Sequence, residues 1–392
     1  MRANFLPVRL ISIVLGIALA LGIQVLGKSM FGGGYLYTLL AYCGIYVTLA
    51  VSLNLINGIT GQFSIGHAGF WMVGAYTSGT LGLLVWPHMA SLPLFTKVVL
   101  SMLAGGITSA LMGLIVGLPS LRLRGDYLAL VTLGFGEIIR IVAQNLDLYN
   151  RSSGFNVTPT TRDYVWLIWL LAFVTIAVCR NLLQNAQGLA FIAVREDEVA
   201  ANAMGVNTTR IKVGAFVLGS MFAGMAGSLF ANFDGFLTPD KFKMDISFLI
   251  LTMVVLGGTG SITGSVVAAI VLYIIPEQLR NLGQVPVGAV LGAALSIVIC
   301  VSVIRWLMEH VHEKRARWVG LTVLGGVLLT FIGGKLSMIP ALAKTIDGNS
   351  LRMPILAITL IVVMLLRPQG VFGHKEFSLG HLFGGKADEV AA

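Results

Sequence analysis

Residues 246–275 read ISFLILTMVVLGGTGSITGSVVAAIVLYII, an apolar stretch of 30 residues with a glycine-rich centre. As one straight helix it would be about 45 Å long, whereas the hydrocarbon core of a bilayer is about 30 Å thick. The glycines of GGTGSITG, residues 257–264, would let two half-helices meet at a turn. The stretch therefore predicts a broken or re-entrant helix pair. Such a turn is tolerated at membrane depth only beside protein or a water-filled cavity.

The rest of the chain shares this apolar character. Of its 392 residues, 56% are hydrophobic and 11% are charged, whereas soluble domains carry about 25% charged residues. No polar stretch of domain size interrupts the apolar runs, which excludes a soluble catalytic domain. The composition predicts an all-α polytopic membrane protein.

Ten further apolar runs are each long enough to cross a membrane once. They cover residues 8–27, 36–57, 62–85, 98–118, 127–143, 165–183, 213–231, 287–307, 318–334 and 353–366. If Arg2 and Arg9 lie in the cytoplasm, the basic residues between 180 and 212 lie there as well. The basic run from 305 to 317 joins them only if residues 246–275 re-enter. We therefore expect about ten transmembrane helices plus the broken pair, with both termini in the cytoplasm.

The net charge of +9 does not indicate nucleic-acid binding, because the basic residues form short clusters between apolar runs. The three cysteines, Cys43, Cys179 and Cys300, lie far apart within or beside apolar segments and lack metal-ligand spacing. We interpret them as small core residues. The sequence indicates neither a metal site nor a nucleic-acid partner; the expected surroundings are membrane lipid.

The N-terminal run could be a signal peptide, since ALA at residues 18–20 offers a cleavage pattern. The apolar run continues to Gly27, which favours a retained helix. Within it, GIQVLGKS at residues 22–29 matches the phosphate-loop pattern GxxxxGK[ST]. That pattern binds phosphate only between a strand and a helix of an α/β domain. We interpret the match as chance and expect nucleotide to bind on another chain.

Residues 61–70, GQFSIGHAGF, place polar groups among glycines in a region otherwise suited to lipid. The glycines are explained by close helix packing, as small residues allow in membranes. Gln62, Ser64 and His67 are not, because polar side chains in hydrocarbon require a cavity or partners. A conduction path is the interpretation we favour, with interhelical hydrogen bonding as the alternative. The expected pathway residues are Gln62, Ser64, Gly66, His67, Gly69, Gly257, Gly258, Thr259 and Gly260.

The predicted span at 127–143 contains an acid and a base. Glu137 and Arg140 are three residues apart and so share one helical face. They could simply neutralise each other, or they could belong to a proton relay. A single clear intramembrane acid that is already paired argues against a proton-driven carrier.

A polar loop at residues 188–212, GLAFIAVREDEVAANAMGVNTTRIK, lies on the predicted cytoplasmic side. Asp197 can cap a short helix that Gly205 would end. Such a helix could dock into the groove of a partner, and the alternative is an ordinary solvated loop. The expected coupling residues are Arg195, Asp197, Glu198, Ala200, Ala201 and Gly205.

Five sequence blocks occur in an order that resembles one known family. The blocks are LNLINGITGQFSIGHAGFWMVGAYTSG at 53–79, LRLRGDYLALVTLGFGEIIR at 121–140, VREDEVAANAMGVNTTRIKVGAFVLGSMFAGMAGSLFA at 194–231, MVVLGGTGSITGSVVAA at 253–269 and RPQGVFG at 367–373. Together they resemble the LivM-type permeases of branched-chain amino-acid ABC importers.

The resemblance implies the ABC importer permease fold and a bacterial inner-membrane location. It also implies a second, LivH-type permease, two ATP-binding subunits and an extracytoplasmic substrate-binding protein as partners. The loop containing EVAANAMG resembles the coupling helix through which ATPase closure reaches the pore. ATP would then be bound and hydrolysed by the partners, with no cofactor and no enzymatic activity on this chain.

The chain departs from the family pattern at residues 282–351, where about two helices and a basic loop are added. The expected organisation is an N-terminal helix and loop at 1–34, a permease core at 35–281, the added pair at 282–351, and a last helix with a cytoplasmic tail at 352–392. The departure leaves the substrate open, since relatives also serve urea and short-chain amides. A secondary transporter or channel and a non-transporting scaffold are the alternatives of other classes.

Overall fold

The computed structural model of the chain describes residues 5–31, 34–89, 91–120, 126–281, 284–286 and 345–347. Over these residues the chain forms eleven α-helices, α1 to α11. They are Phe5–Phe31, Tyr35–Asn54, His67–Leu84, Leu94–Ser120, Asp126–Asn145, Val165–Gln184, Ala186–Glu196, Glu198–Ala203, Thr208–Asp234, Met244–Gly257 and Ile262–Asn281. A π-helical turn, Leu55–Ile59, continues α2, and 3₁₀ turns form at Asp147–Tyr149, Arg151–Ser153 and Pro239–Phe242.

Five helices of the described chain are long and apolar enough to cross a membrane. They are Tyr35–Ile59, Leu94–Pro119, Tyr127–Asn145, Val165–Gln184 and Thr208–Asp234. Shorter apolar helices are Gly16–Ser29 and Ile262–Glu277. Every span predicted between residues 8 and 231 corresponds to a helix. The spans predicted at 287–307, 318–334 and 353–366 lie outside the described residues.

The third predicted span begins later than the sequence indicates. Hydropathy extends it back to Gln62, but α3 starts at His67 and residues 61–66 are not helical. Gly61 has a φ of +68°, which turns the chain out of the preceding helix. The apolar side chains of Phe63 and Ile65 made this connection look like part of the span.

Short strands depart from the all-α prediction. Strand β1, Phe155–Asn156, pairs antiparallel with β2, Phe236–Leu237, with Phe155 opposite Leu237. Both strands lie in connections between helices. Two-residue ladders are too short to give an alternating pattern that a sequence could show.

The chain divides into two compact units, and the first comprises residues 1–273 and 362–392. The second unit comprises residues 274–361. Its described part contains the last residues of α11 and an antiparallel pair of strands, β3 at Gln284–Pro286 and β4 at Thr345–Asp347, with Val285 opposite Ile346.

The core of the first unit forms where α9 packs against α3 and α4. Glycine and serine make this close approach possible, as in other membrane helix pairs. The Ser228 hydroxyl donates to the Gly74 carbonyl at 2.9 Å, and the Ser109 hydroxyl donates to the Phe70 carbonyl at 2.5 Å. A Cβ on Gly74 would collide with the backbone of Gly224. Small residues therefore bring three helices into backbone contact.

The broken pair predicted at 246–275 is present as α10 and α11. Phe242, just before α10, packs edge-on against Phe230. Tyr273, on α11, stacks on Tyr42, which also contacts Phe230. The turn between α10 and α11 lies at the other end of α2, beside its last residue, Asn54. The chain thus runs from the level of Phe230 to the end of α2 and then returns.

The phosphate-loop pattern at residues 22–29 lies inside α1. Its backbone follows a continuous helix and forms no loop around a phosphate. The Gln24 amide instead donates to the Asp163 carbonyl at 2.5 Å and accepts from the Trp166 amide at 3.0 Å. This part of α1 holds the start of α6.

Candidate functional site

The first predicted pathway stretch is the break between α2 and α3. Here the backbone leaves the helix, and side chains replace the missing backbone partners. The Asn57 side chain accepts from the Ser64 amide at 3.1 Å and donates to the Ser64 carbonyl at 3.0 Å. The Ile65 amide donates to the Thr132 hydroxyl at 3.1 Å. Non-helical backbone can therefore persist inside an apolar bundle.

Three polar side chains of this break are buried: Gln62 is 3% exposed, and Ser64 and His67 are 0% exposed. The Gln62 amide nitrogen donates to the Thr60 hydroxyl at 2.9 Å and to the Lys212 carbonyl at 3.2 Å. His67 Nε2 lies 2.8 Å from the Ser52 hydroxyl. These contacts connect the break to α2 and α9.

The same three side chains also have unused hydrogen-bonding atoms. Gln62 Oε1, Ser64 Oγ and His67 Nδ1 are buried and find no hydrogen-bond partner among the described residues. A buried polar atom without a partner costs about 1–3 kcal/mol. The break therefore concentrates sites that a polar solute or water could satisfy.

Gly66 and Gly69, the predicted pathway glycines, lie where the start of α3 packs on α5. A Cβ on Gly66 would overlap the Thr132 carbonyl, and a Cβ on Gly69 would lie 2.8 Å from the Gly136 Cα. Helix packing accounts for these two glycines. They place the polar break directly against α5.

The second predicted pathway stretch forms the turn between α10 and α11. Gly258 and Gly260 have φ angles of +111° and +92°, which other residues rarely adopt. Thr259 is exposed between them. A Cβ on Gly257 would lie 2.5 Å from the Gly264 carbonyl carbon, so the two helices touch where they meet.

The structure brings the two predicted pathway stretches together. The Asn54 side chain donates to the Ser261 carbonyl at 3.0 Å and accepts from the Gly260 amide at 2.9 Å. Gly58 packs so closely on the turn that a Cβ there would collide with the Gly260 amide. The break after α2 and the break after α10 form one site, called the double break below (residues 54–67 and 257–261).

The predicted coupling loop has the local structure that its sequence indicates. The Asp197 carboxylate caps α8 by accepting from the Val199 amide at 2.8 Å and the Ala200 amide at 3.0 Å. Gly205 ends the helix with a φ of +86°. Ala201 is buried on the inner face of α8, whereas Ala200 is exposed.

Two contacts connect this loop to the double break. Arg195 of α7 lies over it: a Cβ on Gly61 would be 3.2 Å from Arg195 Cγ, and one on Gly260 would be 3.1 Å from Arg195 Nη1. In the second contact, Glu198 of α8 pairs with Lys212 of α9 at 2.7 Å. The Lys212 carbonyl in turn accepts a hydrogen bond from the side chain of Gln62.

Five residues of the site were not predicted from the sequence: Ser52, Asn54, Asn57, Thr132 and Lys212. The two asparagines carried a signal, since each interrupts an apolar run just before the polar stretch. Lys212 carried none, because a lysine at a helix start is ordinary on the side predicted to be cytoplasmic.

The sequence of the chain is similar to those of known transport proteins. The sequence model of one family, the permease component of the branched-chain amino acid transport system, matches residues 35–304. The high-affinity branched-chain amino acid transport system permease protein LivM of Salmonella typhimurium is 35% identical over 274 residues, which make up 61% of this chain and 62% of that protein. LivM of Escherichia coli gives the same figures.

More distant similarity extends to a second permease type. LivH of Escherichia coli, a permease protein of the same transport system, is 25% identical over 248 residues, covering 58% of this chain and 80% of LivH. The matched region spans about 62% of the length of the two LivM relatives. No solved structure matches the chain.

Proposed function

The chain belongs to the family of branched-chain amino acid transport permease components, and on that premise we propose that it is the permease subunit of an ATP-driven importer of branched-chain or other hydrophobic amino acids. The members of this family are transport subunits and not enzymes. With five membrane-length helices in its described part, the chain is a multi-pass membrane protein.

One observation carries the proposal, namely the contact between the cytoplasmic loop and the double break. Arg195 covers Gly61 and Gly260, and the Glu198–Lys212 ion pair leads to Gln62. A movement of α7 and α8 would therefore reach both helix breaks directly. An autonomous channel or carrier would have no need of such a connection.

The double break is the part of the proposed pathway where access would alternate. Its glycine turns can change conformation at low cost, and its unpartnered polar atoms lie at the same place. In the structure, Gln62, Ser64 and His67 are buried. We assign this arrangement to a closed state, whose buried polar atoms would form hydrogen bonds with substrate or water when the site opens.

The proposed partners follow from the exposed surface of the loop and from the relatives. Val199 on α8 is 65% exposed, Met204 directly after α8 is 84% exposed, and Leu189 on α7 is 70% exposed. We propose that these apolar side chains dock into an ATP-binding subunit, of which the assembly would contain two. A LivH-type permease and an extracytoplasmic binding protein would complete it in the bacterial inner membrane, with ATP bound by the partners alone.

The test is ATP-dependent uptake of radiolabelled leucine and urea into vesicles that contain this chain with its co-encoded partners. We expect leucine uptake that requires ATP and the binding protein. Uptake of urea alone would replace the substrate and keep the mechanism. Uptake of either solute without ATP would refute the importer.

A further inference from the structure

The charged pair on α5 lies at a depth where charges are costly. Glu137 is near the middle of the 19-residue candidate span Tyr127–Asn145. The Arg140 Nε and Nη2 atoms each lie 2.7 Å from Glu137 Oε2. Among the ion pairs in the described part of the chain, this is the only one with both partners inside one candidate span.

The contacts between Glu137 and Arg140 engage only some of the polar atoms of the two side chains. The Arg140 Nε hydrogen bond and the closest Nη2 contact both reach the same carboxylate oxygen, Oε2. Glu137 Oε1 and Arg140 Nη1 bond to no described residue, and neither is a buried atom lacking a partner. One anionic acceptor and one cationic donor therefore remain accessible side by side.

The pair belongs to a polar stripe and is not an isolated exception. Gln144 follows Arg140 by four residues, so the three side chains line one flank of α5. Gln144 is partly exposed, and its side chain makes no hydrogen bond within the described chain. Self-neutralisation explains two charges but not a stripe over two helical turns. Polar residues inside membranes generally face a water-filled cavity or protein.

This stripe borders the double break. On its one side, Thr132 and Gly136 pack against Ile65, Gly66 and Gly69 at the start of α3. On its other side lies the exposed apolar face of α5, where Ile138 and Val142 are 55% and 53% exposed. The free atoms of the pair thus open next to the proposed pathway, with Glu137 five residues from Thr132 along α5.

We propose that Glu137 and Arg140 bind the two charged groups of a zwitterionic α-amino acid as it passes through the membrane. Glu137 Oε1 accepts hydrogen bonds from the substrate ammonium, and the Arg140 guanidinium donates to the substrate carboxylate. The existing pair keeps each charge neutralised when no substrate is present. This inference rests on the proposed function, since it concerns the substrate of that same pathway.

The test uses the complete complex in proteoliposomes and measures leucine uptake per ATP hydrolysed. Glu137→Gln with Arg140→Gln removes both charges, and Glu137→Arg with Arg140→Glu exchanges them while keeping an ion pair. Asp147→Asn with Arg151→Gln is the matched control, because that pair is equally short at 2.7 Å but lies exposed outside the candidate spans.

We expect the neutral and the exchanged variants to assemble and hydrolyse ATP, with uptake per ATP reduced about tenfold or more, as expected for lost charge-assisted hydrogen bonds. The control should retain uptake. Normal uptake by the neutral variant would overturn the proposal. Recovery by the exchanged variant alone would also overturn it, because the pair would then be merely structural. Absence of ATP-dependent leucine uptake by the unmodified complex would instead refute the proposed function.

A second measurement does not depend on transport. In a chain whose three native cysteines are replaced, Gln144→Cys should react with a membrane-impermeant thiol reagent, and Val142→Cys, on the apolar face at the same level of α5, should not. Reaction at Gln144→Cys alone supports a water-filled flank. No reaction at Gln144→Cys would place the stripe away from water and overturn the proposal.

Discussion

Asn54 holds Gly260 in place across the two helix breaks. Its Oδ1 accepts from the Gly260 amide at 2.9 Å while its Nδ2 donates to the Ser261 carbonyl at 3.0 Å. Because Asn54 is the last residue of α2, one amide fixes both the end of that helix and the turn between α10 and α11. A shift of either break must therefore move the other or break these bonds.

Removing this amide should loosen the double break. We expect Asn54→Ala to destabilise the fold by about 2 kcal/mol, because two hydrogen bonds worth about 1 kcal/mol each are lost. The check is the thermal denaturation midpoint of the purified protein. Asn145→Ala is the control, since that side chain is exposed and, within the described residues, bonds only to the Ile141 carbonyl. Equal midpoints for the two variants would contradict the role of Asn54.

The contact between the breaks should not tolerate a methyl group. A Cβ on Gly58 would collide with Asn54 Oδ1 and the Gly260 amide, so we expect Gly58→Ala to cost about 1–3 kcal/mol through overpacking. Gly134→Ala meets nothing within 4 Å and should stabilise α5 by about 0.5–1 kcal/mol. Denaturation midpoints of the two variants should therefore shift in opposite directions. A Gly58→Ala variant as stable as the parent would show that the two breaks are not in tight contact.

Local features of the site could be predicted from the sequence. The glycines of residues 257–264 indicated the break between α10 and α11, and Asp197 and Gly205 indicated both ends of α8. Each feature depends on a few neighbouring residues whose preferences are known. The polar side chains of Gln62, Ser64 and His67 likewise marked an unusual place in an apolar chain.

Long-range features could not be predicted in this way. Asn54 meets Gly260 across 206 positions, and Gln62 meets Lys212 across 150. Hydropathy shows that a helix is apolar but not which helices touch. For the same reason the sequence placed the start of α3 too early, at Gln62, because the bonds that keep residues 61–66 out of the helix come partly from Thr132 on α5.

The left-handed backbone conformation of Gly205 gives a test of the predicted coupling loop. The Gly205 amide donates to the Asn202 carbonyl and the Val206 amide to the Ala201 carbonyl, both at 3.0 Å, which closes α8 in a Schellman motif. Nothing lies within 4 Å of a Cβ at Gly205. Gly205→Ala should therefore cost about 1–2 kcal/mol through its φ of +86° alone.

Hydrogen exchange of the α8 amides measures this effect, which should appear as faster exchange in Gly205→Ala. Gly214→Ala is the control, since a Cβ there also meets nothing within 4 Å but the residue lies inside α9. Gly205→Asn should exchange more slowly than Gly205→Ala, because asparagine tolerates the left-handed region. Unchanged exchange in Gly205→Ala would mean that the loop does not require this conformation.

If the chain is the proposed importer subunit, the Glu198–Lys212 ion pair should determine how well ATP hydrolysis drives uptake. It joins α8 to α9 at 2.7 Å, and the Lys212 carbonyl accepts a hydrogen bond from the Gln62 side chain. Because the pair is partly buried, we expect Glu198→Gln to weaken the connection by about 1 kcal/mol and to lower leucine uptake per ATP about fivefold. Exchanging the charges, Glu198→Lys with Lys212→Glu, should restore most of the uptake, since the backbone bond to Gln62 remains.

The control is Asp240→Asn, which breaks the exposed pair with Lys243 and should leave the uptake per ATP unchanged. If Glu198→Gln transports as much leucine per ATP as the parent, force reaches the double break by another route, and the contact of Arg195 with Gly61 and Gly260 becomes the one to test.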